Sequence, residues 1–337
     1  MEEIIVNPIK VSVCVSFYNA AKFVERCLDM LCSQTLEELE IVLVNDGSKD
    51  NTDELMRNYA GNHPERKFVL ITQENGSLCQ GRKTGVSNAT GEYVTFLDQD
   101  DLIDNSAYEK MYKCAVNNMA DIVEIQTKHG DTILGSPFVG LQDSHEVLRY
   151  YFTKGGIQSM LWMRMYKRTL FSKPVLPDLY TNNEDMYGFP CLLYAAHSIY
   201  YLSEPLHTYS VDNESSFMAS LKDPARADKR FKSRVIALGA FEHFSEFVGR
   251  EGMKEFDKEF NTYKATYLFG FLMSDFYNKK MQDKIDAIIK AIRTVSYKEL
   301  RSFLNKWLPN NSISYKVYRH FGLSVSYVFC RIINVKR

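Results

Sequence analysis

Three carboxylates stand within four residues at Asp98-Gln99-Asp100-Asp101, directly after the apolar run Tyr93-Val94-Thr95-Phe96-Leu97. A buried strand ending in such a cluster is costly unless a cation meets it. Carboxylate oxygens suit Mg²⁺ or Mn²⁺, and ligands of an open α/β sheet bind at the carboxyl ends of its strands. The alternative is an acidic turn that starts the next helix, since Asp is common at turns and N-caps. Two earlier segments carry the same kind of signal. Ser16-Phe17-Tyr18-Asn19 closes one apolar run, and Asn45-Asp46-Gly47-Ser48 closes another. A nucleoside diphosphate on that rim needs an acceptor for a base N–H, a partner for ribose hydroxyls and a cation for its phosphates. Asp46 can serve the first. Asp98 can serve the second, with a cation as its further partner. Asp100, two residues on and on the same strand face, can ligate the cation directly. Arg82, shortly after Asn75-Gly76-Ser77, can meet a phosphate or the base.

These groups need a scaffold that brings strand ends together. Residues 11–16, 39–44, 68–72, 93–97 and 122–125 read as short buried strands. Between them, apolar residues at 23, 24, 27, 28 and 31 predict a helix over 20–32. Further helices are expected over 53–60, 78–89 and 105–118. Strands alternating with helices imply βαβ units and a mostly parallel sheet. Residues 130–220, punctuated by Pro174, Pro177, Pro190 and Pro205, read as a continuation that covers the ligand face. From about 221 onward the pattern becomes mainly helical, at 231–247, 256–276 and 281–295. A break at Pro309 precedes an aromatic and basic stretch over 312–337. The expected division is therefore 1–220 and 221–337.

The chain has 337 residues and ordinary globular composition, 45% hydrophobic and 25% charged. Its net charge of −1 hides an asymmetry: residues 1–220 hold 18 basic and 30 acidic side chains, residues 221–337 hold 23 and 12. A basic helical region can dock on anionic lipid, or simply present solvated faces or pack against a second copy of the chain. The seven cysteines are scattered, with no Cys-x-x-Cys pair, which points to core residues in a reducing compartment rather than zinc ligands. No secretory signal or membrane span is evident. The expectation is a cytoplasmic protein, peripheral on the membrane's inner face if the basic region binds lipid. Nothing points to nucleic acid.

The ordered set VSVCVSFYNAAKFVERCLDMLCSQT, EIVLVNDGSKDNT and ENGSLCQGRKTGVSNATGEYVTFLDQDD resembles family 2 glycosyltransferases of the bacterial surface-polysaccharide type. The resemblance is good over about 10–130 and continues to about 216. It implies a GT-A, Rossmann-like fold, a UDP-sugar donor, Mn²⁺ or Mg²⁺, and inversion at the anomeric carbon. It implies donor contacts from Phe17, Tyr18, Asn19, Glu25, Asp46, Asn75, Arg82, Asp98, Gln99 and Asp100. The family's general base is an Asp in a Glu-Asp pair, matched here by Glu184-Asp185, with Asp185 as the base and Glu184 on the acceptor side. The same pair also suits the first turn of a helix. Trp162 can stack on a sugar or belong to the core, and Arg164 can meet a phosphate. His207, in Glu204-Pro205-Leu206-His207, is a further metal candidate beside Asp98 and Asp100. Ser77, Lys83 and Ser210 depart from the residues that many relatives carry there.

No Gln-x-x-Arg-Trp motif occurs, so transfer of one sugar is favoured over polymerisation, with a lipid-linked oligosaccharide as the acceptor the family suggests. The rival reading is a non-catalytic nucleotide-sugar binding module. A nucleotidyltransferase is disfavoured because Phe17-Tyr18-Asn19-Ala20 is not a Gly-rich basic loop.

Overall fold

The computed structural model describes residues 8–210 and 227–275. The first strands form where the apolar runs predict them: β1 (Val11–Phe17), β2 (Leu39–Asn45), β3 (Lys67–Thr72) and β4 (Tyr93–Asp98). They pair in parallel in the order β3-β2-β1-β4. Every residue of β2 is buried, as expected of a parallel strand covered on both faces. The helices between them are α1 (Ala21–Cys32), α2 (Thr52–Asn62) and α3 (Ser77–Asn88). α1 buries Phe23, Val24, Cys27, Leu28 and Leu31 along one stripe. α3 contains Gly81 and Gly85, which weaken a helix intrinsically. Their placement is explained by packing: a Cβ at Gly81 would strike Ser16 Oγ, and one at Gly85 would lie 2.9 Å from Cys14 Cβ. The glycines let α3 lie directly on β1, which brings Arg82 over the sheet's carboxyl rim.

The remaining strands are β5 (Leu102–Ile103), β6 (Ile122–His129), β7 (Thr132–Leu134), β8 (Gly140–Asp143), β9 (Arg164–Lys167) and β10 (Ser198–Thr208). The helices are α4 (Ala107–Asn118), α5 (Ser144–Lys154), α6 (Glu184–Ala195) and α7 (Ala227–Asp275), which is interrupted at Gly249, φ 74°. Among the described residues the sheet has ten strands, and beyond β4 its order is β9-β6-β10-β5. β9 lies antiparallel between β4 and β6. Prolines that read as punctuation sit inside elements: Pro190 within α6, and Pro205 within β10, where register shifts on either side of it absorb the missing N–H.

The chain divides into two compact units. The first comprises residues through Tyr151 together with Gly155–Arg250, and the second Phe152–Lys154 together with the chain from Glu251. The expected boundary at 220 does not coincide with this division: the first unit runs on to Arg250, and within it Ser233 and Ile236 of α7 are hydrogen-bonded to Asn183 and Tyr187. Within the second unit, Phe152 meets Phe260 and Tyr263, each at 5.4 Å. The helix expected over 281–295, the break at Pro309 and the basic stretch over 312–337 lie outside the described residues. No described helix is long and apolar enough to cross a membrane.

Candidate active site

Where β1 and β2 end, their turns are laced together. Asn19 adopts φ 50°, its N–H donates to Ser48 Oγ at 3.0 Å, and its Oδ1 accepts from Lys49 N–H at 2.7 Å. Tyr18 N–H donates to Gln99 Oε1 at 3.1 Å, linking this turn to the acidic loop after β4. The Tyr18 ring is half exposed on the rim, whereas Phe17 is wholly buried and belongs to the core. Asp46, also buried, accepts from Gln73 Nε2 at 2.6 Å, Gly76 N–H at 2.9 Å and Asn75 Nδ2 at 3.1 Å. Tyr180 reaches Asn75 Oδ1 with its hydroxyl at 3.0 Å. Glu25 lies exposed on α1 and makes no hydrogen bond to this group.

Arg82 links the end of β4 to the start of α6. Its guanidinium is 3% exposed, donates from Nη2 to Asp98 Oδ1 at 2.8 Å, and donates from Nη1 to Asp185 Oδ1 at 3.0 Å and to Glu184 Oε1. Phe96 packs beneath it, 5.5 Å from ring centre to guanidinium carbon. Burial alone would lower the Arg82 pKa, but Glu184, Asp98 and Asp185 raise it, and the net direction is up. One cation thus faces three carboxylates, an excess of negative charge. Burial accordingly pushes the Glu184 carboxyl up to about 8, with Arg82 opposing and Asp185 reinforcing. Burial also raises Asp185, against the lowering effects of Arg82 and of the Leu161 N–H.

Asp185 sits in the first turn of α6, where the helix dipole favours a carboxylate. Its Oδ1 accepts twice, from Arg82 and from Leu161 N–H at 3.0 Å. Its Oδ2 accepts no hydrogen bond, and the side chain is 24% exposed. α6 is held from outside by α7. Asn183, just before Glu184, donates to Ser233 O at 3.1 Å and Ser233 Oγ at 2.9 Å. Tyr187 Oη donates to Ile236 O at 2.5 Å. The segment leading into α6 is tied to α3 through Thr181 N–H, which donates to Ser77 Oγ at 3.2 Å, and Cys79 N–H, which donates to Thr181 O at 3.3 Å. Ser77 holds φ 84° to do this.

Two expected site residues lie in the interior. Arg164 has no exposed surface; it donates to Glu124 Oε2 at 2.8 Å and to the carbonyls of Met160 and Gln158, each at 2.6 Å. A phosphate contact from Arg164 is therefore not what the structure offers, since its donors are turned inward. Trp162 is 6% exposed and stacks on His207, with ring centres 4.3 Å apart, so its ring is covered by protein rather than offered to a sugar.

His207 is wholly buried. Its Nε2 lies 3.3 Å from Asp101 Oδ2 but off the line of a hydrogen bond, so Nδ1, Nε2 and that oxygen lack partners. Burial raises the Asp101 pKa to about 6, with His207 opposing. Among the described residues no three His, Cys, Asp or Glu side chains converge as a ready metal site, so Asp98, Asp100 and His207 are not a preformed triad. A cation held by one or two carboxylates and completed by substrate phosphates needs no such triad. Asp98 fits that case: Arg82 occupies Oδ1 alone, leaving Oδ2 open on a partly exposed side chain.

Sequence reasoning missed the Leu161 N–H, the Asn183–Ser233 and Tyr187–Ile236 ties, and the Asp101–His207 contact. A backbone donor has no sequence signature, and the others join residues far apart in the chain. The Asp after Asp100 was the one available signal.

A doubly wound sheet with its acids at the carboxyl rim, and a second acid pair in the first turn of α6, defines a GT-A type domain. The same overall fold is seen in S. aureus TarS residues 1–349, crystallised in complex with UDP-GlcNAc, at TM-score 0.67 and 18% identity over 97% of this chain and 92% of that one. Residues 12–170 match the model for Glycosyl transferase family 2. Among curated relatives it is similar to glycosyltransferase GlyA of Streptococcus pneumoniae, 30% identical over 60% of this chain but only 30% of that protein. It is also similar to putative glycosyltransferase EpsH of Bacillus subtilis, 27% identical over 75% of this chain and 73% of that protein.

Proposed function

We propose that the chain transfers a single sugar from a UDP-sugar to a hydroxyl of an oligosaccharide, with inversion, the acceptor being lipid-linked and the setting surface-glycan assembly at the cytoplasmic face of a membrane. The observation that carries this reading is the Arg82 junction, which puts the acid at the end of β4 and the acid pair of α6 on one guanidinium. A donor held by the first acid would lie next to a base supplied by the second. The complex of TarS with UDP-GlcNAc supports a uridine donor for this fold.

In the proposed reaction the acceptor oxygen forms a bond to C1 as the C1–O bond to the diphosphate breaks, and UDP leaves with that electron pair. The acceptor's proton passes to Asp185 Oδ2, the oxygen that carries no hydrogen bond. Arg82 and Leu161 N–H keep Oδ1 occupied and so choose which oxygen acts. Asp98 and Asp100 would hold Mg²⁺ or Mn²⁺ with the diphosphate, and that ion would supply charge neutralisation of the leaving group. Tyr18, Asn19, Asp46 and Asn75 would hold the nucleoside.

The test is UDP release from a panel of UDP-sugars with Mn²⁺, with and without acceptor glycans, beside thermal shifts for the same donors. Release by the wild type and none by Asp185→Asn would support the reading. Donor binding without any release would instead make the chain a nucleotide-sugar binding module.

A further inference from the structure

The base needs a fixed donor on Oδ1 for Oδ2 to be the proton-accepting oxygen. One of its two donors, Leu161 N–H, belongs to a short turn over Leu161–Met163. The approach to that turn contains Gly155 and Gly156, both at positive φ and with open space where a Cβ would stand. Two such glycines cannot fix the path of the chain by themselves.

What fixes it comes from β9. Arg164 grips the Gln158 and Met160 carbonyls, each at 2.6 Å. Its charge is balanced by Glu124 on β6, its guanidinium lies 3.8 Å above the Phe189 ring, and its own carbonyl accepts from Thr95 Oγ1 at 3.0 Å. Tyr166, also on β9, donates to Leu161 O at 3.2 Å. Two carbonyls of Leu161's approach, those of Gln158 and Met160, and the carbonyl of Leu161 itself are thus held by side chains of the central sheet.

We infer that Arg164, assisted by Tyr166, is a positioning residue for Asp185: it shapes the turn over 158–161 so that Leu161 N–H occupies Asp185 Oδ1. The inference deepens the transferase reading and rests on it for its kinetic consequence, while the geometric claim stands separately. A guanidinium is required because its planar fork reaches two carbonyls and a carboxylate at once; a lysine ammonium has the charge without the fork.

Arg164→Lys and Tyr166→Phe test this, the second being the milder change should the first fold poorly. Two readouts are needed. In ¹⁵N-leucine spectra, amide exchange at Leu161 should speed at least about tenfold in Arg164→Lys, and less in Tyr166→Phe. In steady-state kinetics, kcat should fall about ten- to a hundredfold in Arg164→Lys, the scale of a slightly misplaced catalytic group. The donor KM should stay within about twofold. Unchanged Leu161 exchange in both variants overturns the inference. So does a loosened Leu161 with kcat intact, or a loss of kcat in step with donor KM and melting temperature. A wild type that turns over no nucleotide sugar would sink the transferase reading instead, and Leu161 exchange would then decide the geometric claim alone.

Discussion

Among the described residues two arginines are almost wholly withdrawn from water, and their surroundings are opposite. Arg164 is matched by one carboxylate, Glu124, and spends its other donors on main-chain carbonyls. Arg82 is matched by three carboxylates and by no carbonyl. The first arrangement is electrically closed and shapes the chain. The second is over-supplied with negative charge, and some of that excess is still open at the surface, through Asp98 and Asp185. A balanced buried ion pair therefore marks architecture here, and an unbalanced one marks the place where a charged ligand belongs.

The contrast can be broken in several ways. Asp185→Asn should have the largest effect on turnover, about 10²- to 10⁴-fold in kcat, the range for a lost general base. Calorimetry should find UDP affinity nearly intact, and lost affinity would move Asp185 to the donor side. Arg82→Met should lower both stability and donor affinity, since it strands buried carboxylates; about 3–5 kcal/mol is the usual penalty for removing one partner of a buried pair. Denaturant melts would measure it, and a loss as small as that of a surface substitution would mean that Arg82 is not the counter-charge described. Gly239→Ala should cost about 1–3 kcal/mol, because its Cβ would lie 2.6 Å from Tyr187 Oη and push on the link to Ile236. A fall in kcat beyond that caused by unfolding would show that α7 steadies the acid pair.

Titration sharpens the same contrast. The Glu184 carboxyl is raised in the folded state to about 8 from a usual value of 4.5. The folded protein therefore binds more protons than the unfolded chain between those values, and stability should decline as pH rises through that window. The slope is at most about 1.4 kcal/mol per pH unit for one group. Melting temperatures across pH 4 to 9 should show the slope in the wild type and a flatter line in Glu184→Gln. Because Asp185 is raised too, the acid limb of the kcat profile should lie above the ordinary carboxylate range. Finally, Asp100→Ala should weaken Mn²⁺-dependent UDP binding with little change in melting temperature; an unaltered Mn²⁺ requirement in calorimetry would remove it from the ligand set.

The nucleotide half was legible because its signal is local. Each buried strand is a continuous apolar run, and each polar residue of interest follows within a few positions, so Asp46 and Asp98 stand at predictable strand ends. Glu184 and Asp185 were found as a pair, yet nothing nearby reveals that they share a cation 102 positions earlier. Arg164 looked like a surface group because an arginine beside aromatics suits either place. The deciding partner, Glu124, is concealed among the apolar residues Ile122, Val123 and Ile125. Leu161 acts through its amide, which every residue but proline possesses. The later strands were obscured by proline: β10 passes through Pro205 only because the ladder shifts there.

Ser77 occupies a backbone region in which glycine is at ease and other residues are strained. Its hydroxyl is also the anchor for Thr181. Glycine at this position would relax the main chain while releasing the approach to the acid pair, so Ser77→Gly should melt no earlier than the parent and yet turn over more slowly. Heat resistance and catalytic speed would then pull in opposite directions through one side chain.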